Sequence, residues 1–244
     1  MTWSILAHDA ETGAFGLAVA TCNFAVGAGV PFLRAGIGAC ASQSFSNRYL
    51  GPPTLEGLAR GLSPERAVLS AIAGDEGAGL RQIHALDRHG ASFAFTGENC
   101  VAWCGSVSAP GVSVAGNMLA NGNVVAETLA AYLATSAGMP ERLMTAMEAG
   151  EAAGGDRRGR QSAAMFVITT EDFPDLNIRV DDAADPLPEL RRLLGLWKRD
   201  REPGLKFAPR RADPAGRIDL DVIDAGFAAS GSALRVSRPR SAGG

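Results

Sequence analysis

Apolar runs of strand length come in blocks along this chain, separated by pairs of helical segments rather than alternating with single helices. A doubly wound parallel sheet needs a helix after each strand, so the block order predicts antiparallel sheets covered by helices, an α+β architecture. The first block opens at once. Residues 3–8 and 15–21 read as strands, joined by Asp9-Ala10-Glu11-Thr12-Gly13, where Asp starts the turn and Gly takes a positive φ. Gly27-Ala28-Gly29 interrupts the pattern. Residues 30–33 and 37–41 then supply strands whose small side chains allow a helix layer to approach closely.

Two helices are expected next. The first covers 54–60. The second starts at Ser63-Pro64-Glu65, with Ser as N-cap, Pro at the first helical position and Glu in the first turn, and ends near Gly74. Strands return at 81–87 and 91–96, around the turn Arg88-His89-Gly90, and again at 103–107 and 112–118. Helices follow at 124–134 and 140–151, the latter with Leu143, Met144 and Met147 on one face. A polar Gly-rich loop over 154–159 leads to strands at 162–169 and 176–180, and 186–197 is a last amphipathic helix.

Charge divides the chain. Residues 201–244 carry 8 Lys and Arg against 5 Asp and Glu, whereas the rest carries 15 against 21. The reading is one domain over 1–200 and a basic tail of Pro, Arg, Gly and Ala over 201–244, expected to be largely disordered. A net charge of −3 offers no general basic surface to a polyanion, which argues against nucleic acid as a partner. No run reaches the roughly 18 uninterrupted apolar residues of a membrane helix, and the N-terminus lacks a basic start and an apolar core of signal length. The expectation is a cytoplasmic protein, away from membranes, whose Cys22, Cys40, Cys100 and Cys104 are thiols. Leu190, Leu193, Leu194 and Trp197 form an apolar face that suggests a homodimer.

His8, His84 and His89 lie far apart and no His-Glu-x-x-His occurs, so no metal is expected; no Walker lysine or nucleophile elbow is present either, and no cofactor is implied. A different nucleophile stands out. Thr2 follows Met1, and removal of Met1 would expose an α-amine, of ordinary pKa about 7.7 to 8.0, able to take the threonine's own hydroxyl proton. A strand starting at the next residue would hold that terminus rigidly. Cys22 is an alternative nucleophile, without an activating base among its neighbours.

Two polar clusters could bind. Gly154-Gly155-Asp156-Arg157-Arg158-Gly159-Arg160-Gln161-Ser162 concentrates backbone N–H groups, guanidinium forks and a carboxylate, a layout suited to a carboxylate-bearing ligand. Ser42-Gln43-Ser44-Phe45-Ser46-Asn47 and Asn117 each end a strand and offer N–H donors to a developing oxyanion.

Together these stretches, with Gly16-Leu17-Ala18-Val19-Ala20-Thr21-Cys22-Asn23-Phe24 and Leu176-Asn177-Ile178-Arg179-Val180-Asp181-Asp182, resemble the N-terminal-nucleophile (Ntn)-hydrolase-like proteins called domain of unknown function 1028. The resemblance spans about residues 2–198. It implies a four-layer αββα sandwich of two antiparallel sheets covered by helices, with the N-terminal residue at the mouth between the sheets. It further implies Thr2 as nucleophile, Thr21 or Cys22 as its support, Gln43 and Asn117 as oxyanion donors, and Asp156, Arg160 and Ser162 around the amine. Ser44, Arg157 and Gln161 join them as expected substrate contacts. The family often has His after the Asp181-Asp182 pair, where this chain has Ala183. The function expected is hydrolysis of a small amide that carries a carboxylate; the alternative is a non-catalytic ligand-binding or assembly protein that keeps the fold.

Overall fold

A computed structural model describes residues 2–232. Ten strands form two sheets. The larger contains β1 (Thr2–His8), β2 (Phe15–Thr21), β7 (Gly105–Ala109), β8 (Val112–Asn117), β9 (Ser162–Ile168) and β10 (Leu176–Val180), in the order β10-β9-β2-β1-β8-β7. The smaller contains β3 (Pro31–Arg34), β4 (Gly38–Ser44), β5 (Arg81–Asp87) and β6 (Ser92–Thr96), in that order. Every pairing is antiparallel, as the block order of strands requires.

Six α-helices complete the described residues. α1 (Gly51–Ala59) packs on β3 and β4, and α2 (Pro64–Ile72) on β5 and β6. Ser63 caps α2 by accepting from Arg66 N–H at 3.3 Å. α3 (Asn123–Ala134) packs on β7 and β8, and α4 (Met139–Ala152) on β2 and β9. These two helices approach closely because Gly150 leaves no Cβ, which would sit 2.2 Å from Thr128 Oγ1. None of the described helices is long and apolar enough to cross a membrane.

The first compact unit ends at Arg191 and the second begins at Arg192, inside α5 (Pro186–Asp200). In the second unit, α6 (Leu220–Ala229) is a ten-residue helix where the tail's composition suggested disorder. Asp219 caps it, accepting from Asp221 N–H and Val222 N–H at 3.1 and 3.2 Å. Residues 233–244, the remainder of that expectation, lie outside the described residues. Of the apolar face on α5, Leu190 and Leu194 are buried and Leu193 and Trp197 are half-buried within the chain.

Side chains of the two sheets meet. Alternation along β1 sends Thr2, Ser4 and Leu6 toward the smaller sheet and Trp3, Ile5 and Ala7 the other way. One part of the space between the sheets is apolar, filled by Leu6, Phe15, Leu17, Val19, Ala39, Leu86 and Phe166. The other part, beside β8, is polar.

Candidate active site

Thr2 begins β1 and lies opposite Asn117 of β8, with β2 on its other side, so neighbouring strands flank residue 2. Its Oγ1 donates to Thr21 Oγ1 at 3.3 Å. A cleft of about 190 Å³ opens there. Thr2, Thr21 and Gln43 form its floor, the segment Asn23 to Val26 one wall, and Ser44, Ser46 and Arg48 another. At roughly 30 Å³ per water the space suits a small molecule.

Both walls are clamped from outside. On one side the Asp156 carboxylate accepts from Cys22 N–H at 2.8 Å, Ser162 Oγ donates to Asn23 O at 2.5 Å and accepts from Val26 N–H at 3.0 Å, and Asp181 O accepts from Ala25 N–H at 2.9 Å. On the other, Asp75 accepts from Asn47 Nδ2 at 2.8 Å and from Arg81 Nε at 2.9 Å, while Arg81 Nη1 donates to Phe45 O at 2.6 Å. The Arg81 guanidinium and the Asn47 amide hold the Asp75 carboxyl well below the usual carboxylate range. Ala25 and Ser44 face the cleft with φ of 54° and 71°. Non-glycine residues adopt that left-handed backbone at a cost of about 1 kcal/mol or more, which a tightly held surrounding must offset.

Of the residues singled out from sequence, Thr2, Thr21, Gln43 and Ser44 line the cleft together. Cys22 stands behind its wall, with Sγ 3.8 Å from Arg158 O. Asp156 and Ser162 are buried in the clamp just described. Gln161 Nε2 donates to Asp182 Oδ1 at 3.1 Å and its N–H to Thr21 O at 3.0 Å; Ala183 N–H in turn donates to Gln161 O. The arginines of the Gly-rich loop are engaged within the chain. Arg157 Nη1 donates to Ala102 O at 3.0 Å, Arg158 pairs with Asp156 at 3.1 Å, and Arg160 pairs with Glu151 and, at 2.9 Å, with Asp185. The loop therefore braces the cleft and does not line it.

The side-chain amides of Gln43 and Asn117 turn inward. Gln43 Nε2 donates to Gln82 Oε1 at 2.8 Å and to Ala115 O at 3.1 Å; Asn117 Nδ2 donates to Gln82 Oε1 at 2.9 Å and to Thr2 O at 3.4 Å. Both amides have thus spent their two hydrogens on groups of the chain. Gln82 Nε2 donates to Thr96 Oγ1 at 2.9 Å and to Gly116 O at 2.8 Å.

Backbone carbonyls are acceptors only, so Ala115 O and Gly116 O fix which end of each glutamine amide is nitrogen. Gln43 Oε1 accepts from Ser4 Oγ at 2.8 Å, which uses the only hydroxyl hydrogen of Ser4. His84 Nε2, 2.8 Å from the same Oγ, must then carry hydrogen and donate, and in a neutral ring His84 Nδ1 accepts from Ser113 Oγ at 2.9 Å. Burial pushes the His84 imidazole down to about 3, which agrees with a neutral ring.

In the sequence His84 stands out only as a candidate metal ligand, and no motif marks Ser4, Gln82 or Arg48. Alternation could have found the first two, since each occupies an inward position of a buried strand. Arg48 sits in a short 3-10 turn, Arg48–Leu50, whose N-cap Asn47 accepts from Tyr49 N–H at 3.0 Å.

These features define an α+β protein of two antiparallel sheets in which the start of the central strand opens on a small, rigid-walled cleft. The chain belongs to the family of unknown function DUF1028, whose family model matches residues 2–190. It is similar to protein SPO2555 from Silicibacter pomeroyi, of the same family, in a crystal structure with a TM-score of 0.83 and 34% identity over 89% of this chain and 96% of that one. A further structure, Anbu (ancestral beta-subunit) from Yersinia bercovieri, aligns at a TM-score of 0.36 and 9% identity over 80% of this chain and 93% of that one. No curated protein matches the chain.

Proposed function

We propose that the protein is an N-terminal-nucleophile amidohydrolase with a four-layer αββα arrangement, acting on a small amide through Thr2 after removal of Met1. One observation carries the reading: the first residue of a strand flanked by partners on both sides is a threonine on the floor of a cleft. The Thr2 hydroxyl attacks the amide carbon and its proton passes to the α-amine, then to the departing nitrogen as the C–N bond breaks. An ester on Thr2 remains. Water adds to it with the same amine as base, and releases a carboxylic acid and the free threonine.

The oxyanion donor in this scheme is the Ser44 backbone N–H. Ser42 N–H donates to Val30 O on the β3 side of the strand and Phe45 N–H to Leu80 O on the β5 side, so alternation directs Ser44 N–H toward the β3 side, where the cleft lies. The amides of Gln43 and Asn117 act one step back, by fixing β1, β4 and β8 around Thr2.

The test combines intact mass of protein from its natural source with turnover of an amide panel by the parent and Thr2→Ala. Loss of Met1 and complete loss of turnover in the alanine form are expected. Turnover retained by Thr2→Ala ends the proposal. Ligands bound unchanged by the Met1-free parent would favour the binding-protein alternative.

A further inference from the structure

Resting on the amidohydrolase reading, we infer that Arg48 is the anion-recognising residue of the cleft and that the substrate is an amide bearing a carboxylate a few bonds from the scissile carbon. The guanidinium lines the same small space as Thr2 and Ser44. It rests on Gly29, where an added Cβ would lie 2.6 Å from Arg48 Nη2, so the glycine lets the side chain lie against the opposite wall. Among the described residues nothing within hydrogen-bond distance takes up its five donors.

The contrast with the Gly-rich loop is direct, because Arg157, Arg158 and Arg160 are engaged by Ala102, Asp156, Glu151 and Asp185. Among the described lining side chains Arg48 is the one formal charge, and no carboxylate competes for it. A planar fork at the edge of a small cleft matches a carboxylate in two-point contact. The limited volume keeps that carboxylate close to the bond under attack. Phe24, 69% exposed on the wall, gives the remaining part of such a ligand an apolar surface.

Calorimetry on Met1-free Thr2→Ala protein, with N-acetylglycine and the uncharged N-acetylglycinamide as probes, tests this. The carboxylate is expected to bind at least about tenfold more tightly than its amide, the size of a charge-assisted hydrogen bond. Arg48→Gln should erase that preference, and Arg160→Gln should keep it. Equal affinity for the two probes, binding of neither, or a preference that survives Arg48→Gln would overturn the assignment. Because binding is read in a protein without the nucleophile, these outcomes are independent of whether Thr2 cleaves anything.

Discussion

The space between the two sheets is filled in two ways. Around Phe15, Leu17 and Phe166 the facing side chains are apolar and held by dispersion and exclusion of water, which ask only for volume. Around Gln82 and His84 the same pair of sheets meets through Ser4, Gln43, Ser113 and Asn117, all buried and all hydrogen-bonded. Directional bonds ask for identity and orientation as well as size. The cleft and Thr2 sit beside the second kind, so the part of the core that tolerates least change is the part that positions the site.

Two like-sized substitutions, one in each half, test this distinction. Gln82→Met removes the acceptor of both Gln43 and Asn117, leaving two buried donors, and is expected to cost about 4 kcal/mol in urea unfolding. A cost near that of an apolar exchange would show that the network contributes nothing beyond packing.

A second effect follows from His84. Its folded pKa lies below its unfolded value near 6.5, so the unfolded chain binds the extra proton, and the stability due to the neutral ring is full above pH 6.5 and is lost as pH falls toward 3. Between pH 7 and pH 5 the loss is roughly 2 kcal/mol for one such group. It should be absent from the pH profile of His84→Gln, and an imidazole nitrogen spectrum of the parent at pH 5 should show hydrogen on Nε2 alone. The smallest effect belongs to the apolar half: Leu17→Met should cost under about 1.5 kcal/mol, with the thermal midpoint as the readout. A larger loss would erase the distinction between the halves.

Most of the fold could be read in the residues. The hairpin at Asp9 to Gly13, the Ser63 cap and the strands Arg81–Asp87 and Leu176–Val180 rest on local rules, and local chemistry decides them. Helix α6 also had local signals, Asp219 and the apolar Leu220, Val222, Ile223 and Phe227, but the Pro and Arg content around it outweighed them in a reading by composition. The site was less legible. Thr2, Thr21, Gln43 and Ser44 line one cleft, yet a strand pattern does not say whether an inward glutamine faces a cleft or a second sheet. The arginines of the Gly-rich loop looked available because their partners Glu151, Asp185 and the Ala102 carbonyl are brought to them only by folding.

From Ser113 to Thr96 the donors all point one way: hydroxyl to imidazole, imidazole to hydroxyl, hydroxyl to amide, amide to amide, amide to hydroxyl. A slide of β1 by two residues would keep its faces but bring either Leu6 to the place of Ser4, against an imidazole N–H and an amide oxygen with nothing to offer either, or Ser4 to the place of Leu6, its hydroxyl among apolar side chains. The strip therefore works as a keyway: two sheets that grease alone would let shift past each other are held at one offset, and that offset puts residue 2 on the floor of the cleft.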